Sequence, residues 1–141
     1  MNASSSILND IYRNSSLRMQ KIPLLAAKSE DSQFSQILKK QWKDCCSVSE
    51  EVRQSLIWNC QELPRLSEFS RMTAVASSNL ITLTDHSSSH LAEIGIQDCT
   101  QSIARLTRIL HQKGIPSAER KLAEKFLHLE ENHVREMKKF L

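Results

Sequence analysis

The C-terminal stretch 127-LHLEENHVREMKKFL-141 decides how this chain is expected to fold. At about 100° per residue along a helix, its apolar side chains share one arc with two ionisable residues, Glu130 and His133. Neighbouring charged residues such as Glu131 and Arg135 project to the other side. A buried carboxylate is strongly disfavoured unless it is paired, protonated or bound to a cation. The pattern therefore predicts an amphipathic helix whose apolar face carries one ionisable pair.

Several groups could satisfy this pair. The two residues could bind each other or a metal ion, or they could bind polar side chains at inward positions of two earlier predicted helices, namely Asn14, Arg18, Gln41 and Cys45. Either Cys45 or Asp98, which reaches the edge of an apolar seam, would complete a mononuclear metal site. Alternatively, Gln41, Asn14 and Arg18 belong to a buried polar network that fixes the register of the helices.

Length and composition limit the architecture. The chain has 141 residues, of which 40% are hydrophobic and 25% charged, as expected for one globular domain over residues 1–141. Its 2 glycines and 3 prolines are too few for a sheet with its turns, so we expect long helices and short loops. A net charge of +3, spread along the chain, does not predict nucleic-acid binding.

Helical periodicity predicts two long helices in the first half of the chain. The first covers about residues 7–28, and Pro23 is expected to kink or break it because the ring clashes with the carbonyl one turn earlier. The second helix is capped by Ser29 or Asp31 and ends near Asn59.

A weaker amphipathic helix is predicted over Leu66 to Leu83, inside a connection of about residues 61–86. The next long helix, about residues 88–113, has Asp85 or Ser87 as its cap and the most regular apolar seam. Gly95 lies beside that seam, where a missing side chain lets a neighbouring helix come close.

The last helix follows a strong stop signal. Gly114 ends the preceding helix, and Ser117 is predicted to cap the final one, which runs to the C-terminus. The predicted order is thus two long helices, a crossover with a lesser helix, and two long helices. Short loops make each pair an antiparallel hairpin, which gives an all-α, up-down bundle.

In this helix order and in the motif from Glu130 to His133, the chain resembles the ferritin-like superfamily, in particular its small bacterial members. The resemblance implies a di-metal site built from a glutamate on each of two helices and Glu-x-x-His on each of the other two. Glu130 and His133 match one such motif. The first helix has no inward carboxylate, the second has no Glu-x-x-His, and Glu93 projects away from the seam. The resemblance therefore implies an incomplete metal site.

Two functions follow as expectations. The first is a non-catalytic structural or interaction module, self-associating as a dimer, with no catalytic residue and no cofactor. The alternative is a metal-binding or oxidoreductase-type ferritin-like protein with Glu130 and His133 as ligands of iron, manganese or zinc. A weaker third idea is that a groove at the Pro23 kink binds a small ligand or a partner helix.

The remaining features concern partners and location. The apolar residues Ile57, Trp58 and Leu63 are expected either to cap the bundle or to form a dimer contact. The four cysteines lack metal or disulfide spacing, and the sequence has no signal peptide or membrane-length apolar run. We therefore expect a cytoplasmic protein with reduced thiols and without membrane or nucleic-acid partners.

Overall fold

The computed structural model describes residues 3–59, 61–63 and 83–141. These residues form four helices and no strand: α1 (Ala3–Ala26), α2 (Ser32–Trp58), α3 (Ser88–Leu110) and α4 (Ser117–Lys138). The prediction of an all-α fold is confirmed. The predicted lesser helix lies, except for Leu83, outside the described residues.

The four helices pack as two hairpins around a shared apolar core. α1 packs mainly against α2 and α3 mainly against α4, with further contacts between α1 and α3 and between α2 and α4. Each helix turns one apolar stripe inward because its apolar residues recur every three or four positions. The largest fully buried apolar side chains are Phe34, Phe126, Ile7, Leu8, Ile11, Leu38, Leu56, Leu91, Leu106 and Met137.

The starts of α2 and α3 lie at the same end of the bundle. Ser88 Oγ, in the first turn of α3, donates a hydrogen bond to Oδ2 of Asp31, the residue that caps α2, at 3.1 Å. α2 has 27 residues, which corresponds to about 40 Å of helix. The end of α2 and the start of α3 therefore lie at opposite ends of the bundle.

α1 continues through Pro23 and ends at Ala26, so the predicted break does not occur. Proline has no backbone N–H, which leaves the carbonyl of Met19 without its partner inside the helix. The indole N–H of Trp42 in α2 donates to that carbonyl at 3.1 Å. The neighbouring helix thus supplies the hydrogen bond that proline removes.

The helix ends follow simple capping chemistry. Asp31 Oδ1 accepts from the backbone N–H groups of Gln33 at 2.8 Å and Phe34 at 3.3 Å, and Ser87 Oγ accepts from that of His90 at 3.3 Å. Of the alternatives that the sequence left open, Asp31 and Ser87 are therefore the caps.

The start of α4 differs from the prediction. Its N-terminal flanking residue is Pro116, and Ser117 is already the first helical residue, without a side-chain capping bond. Pro116, with φ −58° and ψ 148°, occupies the flanking position, so Ser117 lies one residue too late to act as the cap. Gly114 has a φ of 72°, the left-handed conformation that glycine adopts readily after a helix end.

Gly95 lets α3 approach α4 closely, as its position in the sequence predicted. A Cβ at this position would lie 2.5 Å from Met137 Sδ and 3.2 Å from Leu25 Cδ2. α1, α3 and α4 therefore meet at a point where even the side chain of alanine would require Met137 to shift.

Within the described parts of the chain, no helix combines the length and the apolar character that crossing a membrane requires.

Candidate functional site

The centre of the bundle contains the ionisable pair that the sequence places on the inward face of α4. Glu130 is 0% exposed and His133 is 1% exposed. They lie one turn apart on α4, and His133 Nδ1 is 2.7 Å from Glu130 Oε1. The site is built outward from this contact by residues of the three other helices.

Arg18 of α1 is the cation that faces Glu130. Its Nε donates to Glu130 Oε2 at 2.9 Å, and both side chains are almost fully buried. Burial lowers the pKa of the guanidinium, but the Glu130 charge raises it, and the pKa lies above its ordinary value. Arg18 therefore remains charged at every physiological pH.

Glu130 is ionised in this environment. Burial by itself raises the pKa of the carboxyl, but the Arg18 charge and the hydrogen bond from His133 outweigh it and hold the pKa below its ordinary value. The carboxylate thus has Arg18 on one oxygen and His133 on the other. This arrangement satisfies a charge that would otherwise be strongly disfavoured in the core.

His133 bridges two carboxylates. Its Nε2 is 2.9 Å from Oδ2 of Asp44, which lies on α2 with 26% of its side chain exposed. His133 thus joins a carboxylate of its own helix α4 to a carboxylate of the adjacent helix α2.

α3 contributes a thiol and a hydroxyl to the same layer. The Cys99 thiol lies 3.0 Å from a terminal nitrogen of Arg18 and 3.9 Å from Glu130 Oε1. Burial raises its pKa, so Cys99 is a neutral thiol. One turn away, Asn14 Nδ2 donates to Ser102 Oγ at 2.9 Å, and Arg105 donates to Asn14 Oδ1 at 3.0 Å.

The candidate metal ligands are only partly brought together. Cys45 is 0% exposed, and one donor atom from each of Cys45, Glu130 and His133 lies within 4.8 Å of the other two. Burial, together with the nearby Glu130 charge, raises the pKa of the Cys45 thiol well above its ordinary value. Asp98 is instead directed to Lys21 Nζ, 3.4 Å away, on the flank of α3.

The residues predicted to form a buried polar network have different surroundings. Arg18 and Asn14, each 2% exposed, make the bonds described above. Gln41 is 0% exposed, yet neither its Oε1 nor its Nε2 has a hydrogen-bond partner in the structure. Since Gln41 precedes Cys45 by one turn of α2, its amide is a buried polar group next to the site.

Sequence reasoning missed Asp44 and Ser102. Asp44 lies on the flank of α2 directly before the seam residue Cys45, where a carboxylate usually faces water. Only the position of α4 beside that flank makes Asp44 a partner of His133. Ser102, a buried residue of α3, offered no chemical pattern in the sequence. Periodicity along one helix does not show which side chains of another helix will face it.

The donor set does not fit the di-metal centre that the resemblance implies. Such a centre uses several carboxylates and two histidines. Over the described ranges, the one cluster of three or more potential ligands contains a single carboxylate, a single histidine and a thiol. The Arg18 cation also binds the carboxylate oxygen that a second metal would need.

Comparisons with protein-family models, curated proteins and solved structures find no match to this chain.

Proposed function

We propose that this protein is a non-catalytic helical-bundle module of the ferritin-like type, in which an internal ion-pair network replaces the di-metal centre. The observation that carries the proposal is the buried ion pair between Arg18 Nε and Glu130 Oε2, at 2.9 Å. A cation supplied by the chain itself balances the carboxylate that would otherwise bind a catalytic metal. The starts of α2 and α3 also lie at the same end of the bundle. This arrangement fits the one long crossover connection of ferritin-like bundles.

An iron oxidation assay tests the absence of catalysis. Metal-free protein is mixed with Fe²⁺ in air, and the formation of Fe³⁺ is followed against a buffer blank. The proposal expects the same rate with the parent protein, with a Glu130→Gln variant and with the blank. Faster oxidation by the parent that is lost in a folded Glu130→Gln variant would support the alternative, an oxidoreductase with Glu130 and His133 as iron ligands.

Self-association is the second part of the proposed function. Three apolar side chains near the end of α2 are exposed: Trp58 at 88%, Ile57 at 48% and Leu63 at 38%. Exposed aromatic and aliphatic groups in one place are typical of protein interfaces. We assign this patch to a contact between two copies of the chain.

Sedimentation velocity over a range of protein concentrations tests this contact. The parent is expected to form a dimer, and the double variant Ile57→Ser, Trp58→Ser is expected to remain monomeric. Leu141→Ser is the matched control, because Leu141 is 64% exposed at the other end of the bundle. A monomeric parent, or a dimer that survives the double substitution, would refute the assignment.

The specific observation that favours metal binding is the group formed by Cys45, Glu130 and His133. It differs from the di-metal centre in the type and number of its ligands.

A further inference from the structure

We infer that Cys45, His133 and Glu130, with Gln41 as the fourth donor, form a mononuclear site for a divalent, thiolate-binding cation of the zinc class. Such a site goes beyond the proposed function and is compatible with it, because a cation held by four protein groups is structural and not catalytic.

The spacing of the donors is the first argument. One donor atom from each of the three residues lies within 4.8 Å of the others. Around a tetrahedral zinc-type ion with the usual bond lengths, donor atoms stand about 3.3 to 3.6 Å apart. Cys45 comes from α2, and the other two residues come from the adjacent α4. Small rotations of side chains on the two helices can therefore produce that spacing.

The outer hydrogen bonds already orient the ligands as a metal site requires. His133 Nε2 is held by Asp44 Oδ2 at 2.9 Å, which leaves Nδ1 next to Glu130 Oε1. Glu130 Oε2 is held by Arg18 at 2.9 Å, which leaves Oε1 facing inward. A metal-binding histidine generally donates its other ring N–H to a carboxylate in this way, and ligating carboxylates are also hydrogen-bonded.

Gln41 is an independent observation that points to a missing ligand. Its amide is 0% exposed, and neither polar atom has a hydrogen-bond partner in the structure. Buried polar atoms are nearly always satisfied in proteins. Gln41 precedes Cys45 by one turn on the same buried face of α2, so its carbonyl oxygen can reach a cation held by Cys45.

Charge balance selects a divalent ion. In the bound state the Cys45 sulfur is a thiolate and the ring nitrogen of His133 that binds the cation carries no proton, and any proton displaced from either atom passes to solvent. No electron is transferred. With Arg18 positive, and Asp44, Glu130 and the thiolate negative, a divalent ion brings the sum of charges in the bound site to zero. A monovalent or trivalent ion would leave a net charge in the core.

The donor types select the metal class. A thiolate, an imidazole and a carboxylate suit Zn²⁺, whereas an all-oxygen set would suit Mg²⁺ or Ca²⁺. Co²⁺ adopts the same tetrahedral geometry and can report on thiolate coordination through its absorption spectrum. It is therefore the probe used in the test.

The test titrates metal-free protein, purified without an affinity tag and kept reduced, with Co²⁺. The expected result is binding of one Co²⁺ per chain with a thiolate-to-cobalt charge-transfer band, followed by displacement of Co²⁺ by Zn²⁺. A double variant with Cys46→Ser and Cys60→Ser should keep the band, because Cys45 remains. Cys45→Ser should remove it.

Asp44→Ala is the variant that does not depend on changing a buried ligand. Asp44 is partly exposed and acts on the metal only through His133, so the fold should survive while Co²⁺ affinity falls about 10- to 100-fold. Alanine is chosen over asparagine, because the asparagine side-chain oxygen could accept the same hydrogen bond from His133 Nε2. No stoichiometric Co²⁺ binding, a band that disappears in the double variant, or unchanged affinity in Asp44→Ala would each overturn the proposal.

Discussion

Arg18 determines whether the core of this protein tolerates a carboxylate. Its guanidinium donates to Glu130 through Nε and contacts Cys99 through a terminal nitrogen, so one side chain of α1 reaches both α4 and α3. An arginine can do this because its planar group carries several donors in fixed directions. The position of a single residue thus converts a destabilising charge into a cross-link between helices.

Arg18→Met is expected to lower the free energy of unfolding by about 3 to 5 kcal/mol, because it leaves the Glu130 carboxylate buried without its cation. Adding Glu130→Gln should recover a large part of this loss, because no buried charge then remains unpaired. The measurement is urea denaturation in the presence of a chelator. Arg120→Met, at a side chain that is 44% exposed, is the control. An effect of Arg18→Met as small as that of the control would contradict the role of the ion pair.

At the scale of the element, α1 illustrates how a neighbouring helix can override a local sequence signal. Pro23 removes the hydrogen bond to the Met19 carbonyl, and Trp42 of α2 replaces it at 3.1 Å. The helix continues for three more residues to Ala26. The residue that compensates for Pro23 in α1 therefore lies in α2, 23 residues after Met19 along the chain.

Trp42→Phe should lower the free energy of unfolding by about 1 kcal/mol, because the Met19 carbonyl loses its donor. In a Pro23→Ala background the same substitution should have a smaller effect, since the restored backbone N–H can serve that carbonyl within the helix. Chemical denaturation of the four proteins of this double-mutant cycle gives the coupling. Equal effects of Trp42→Phe in both backgrounds would show that the hydrogen bond does not compensate for the proline.

For the whole molecule, Gly95 marks a close approach of three helices. A Cβ there would lie 2.5 Å from Met137 Sδ of α4 and 3.2 Å from Leu25 Cδ2 of α1. Because α1 and α4 both meet α3 at this glycine, its absence of a side chain affects the arrangement of the bundle and not only the local stability of α3.

Gly95→Ala is expected to lower the free energy of unfolding by about 1 kcal/mol, because overpacking outweighs the gain in helix propensity. In a Met137→Ala background the sign should reverse, since the obstructing sulfur is gone and the propensity gain remains. Thermal and urea denaturation measure both effects. Ala104→Gly, at an exposed position of the same helix, calibrates the propensity contribution. Stabilisation by Gly95→Ala in the parent protein would disprove the close contact.

The amount of the structure that could be predicted differs from feature to feature. The helices and the inward direction of Glu130 and His133 follow from periodicity, because the position of a side chain around a helix depends only on its spacing along the chain. The caps Asp31 and Ser87 were each one of two candidates. Ser117 was wrong as a cap, because Pro116 occupies the flanking position and Ser117 is already helical.

The partners in the core could be narrowed but not assigned. Four residues were all predicted to face inward, yet their interactions differ. Asn14 makes hydrogen bonds, Arg18 forms an ion pair, the Gln41 amide has no partner, and Cys45 is a neutral thiol. These interactions depend on the rotation and axial shift of one helix against another. Asp44 was missed for the same reason, since it lies on a flank that only the position of α4 makes an interior surface.

The sequence by itself determined that the chain is helical and that two ionisable groups lie on a buried face, because both properties are local consequences of residue spacing and polarity. Tertiary structure alone decided what those groups meet: Arg18 on one side of Glu130, Asp44 on the far side of His133, and a donor atom of Cys45 within 4.8 Å of both. Pairing between helices is decided by packing over long separations in the chain. A buried charge then selects, from the side chains that packing places around it, those able to neutralise it.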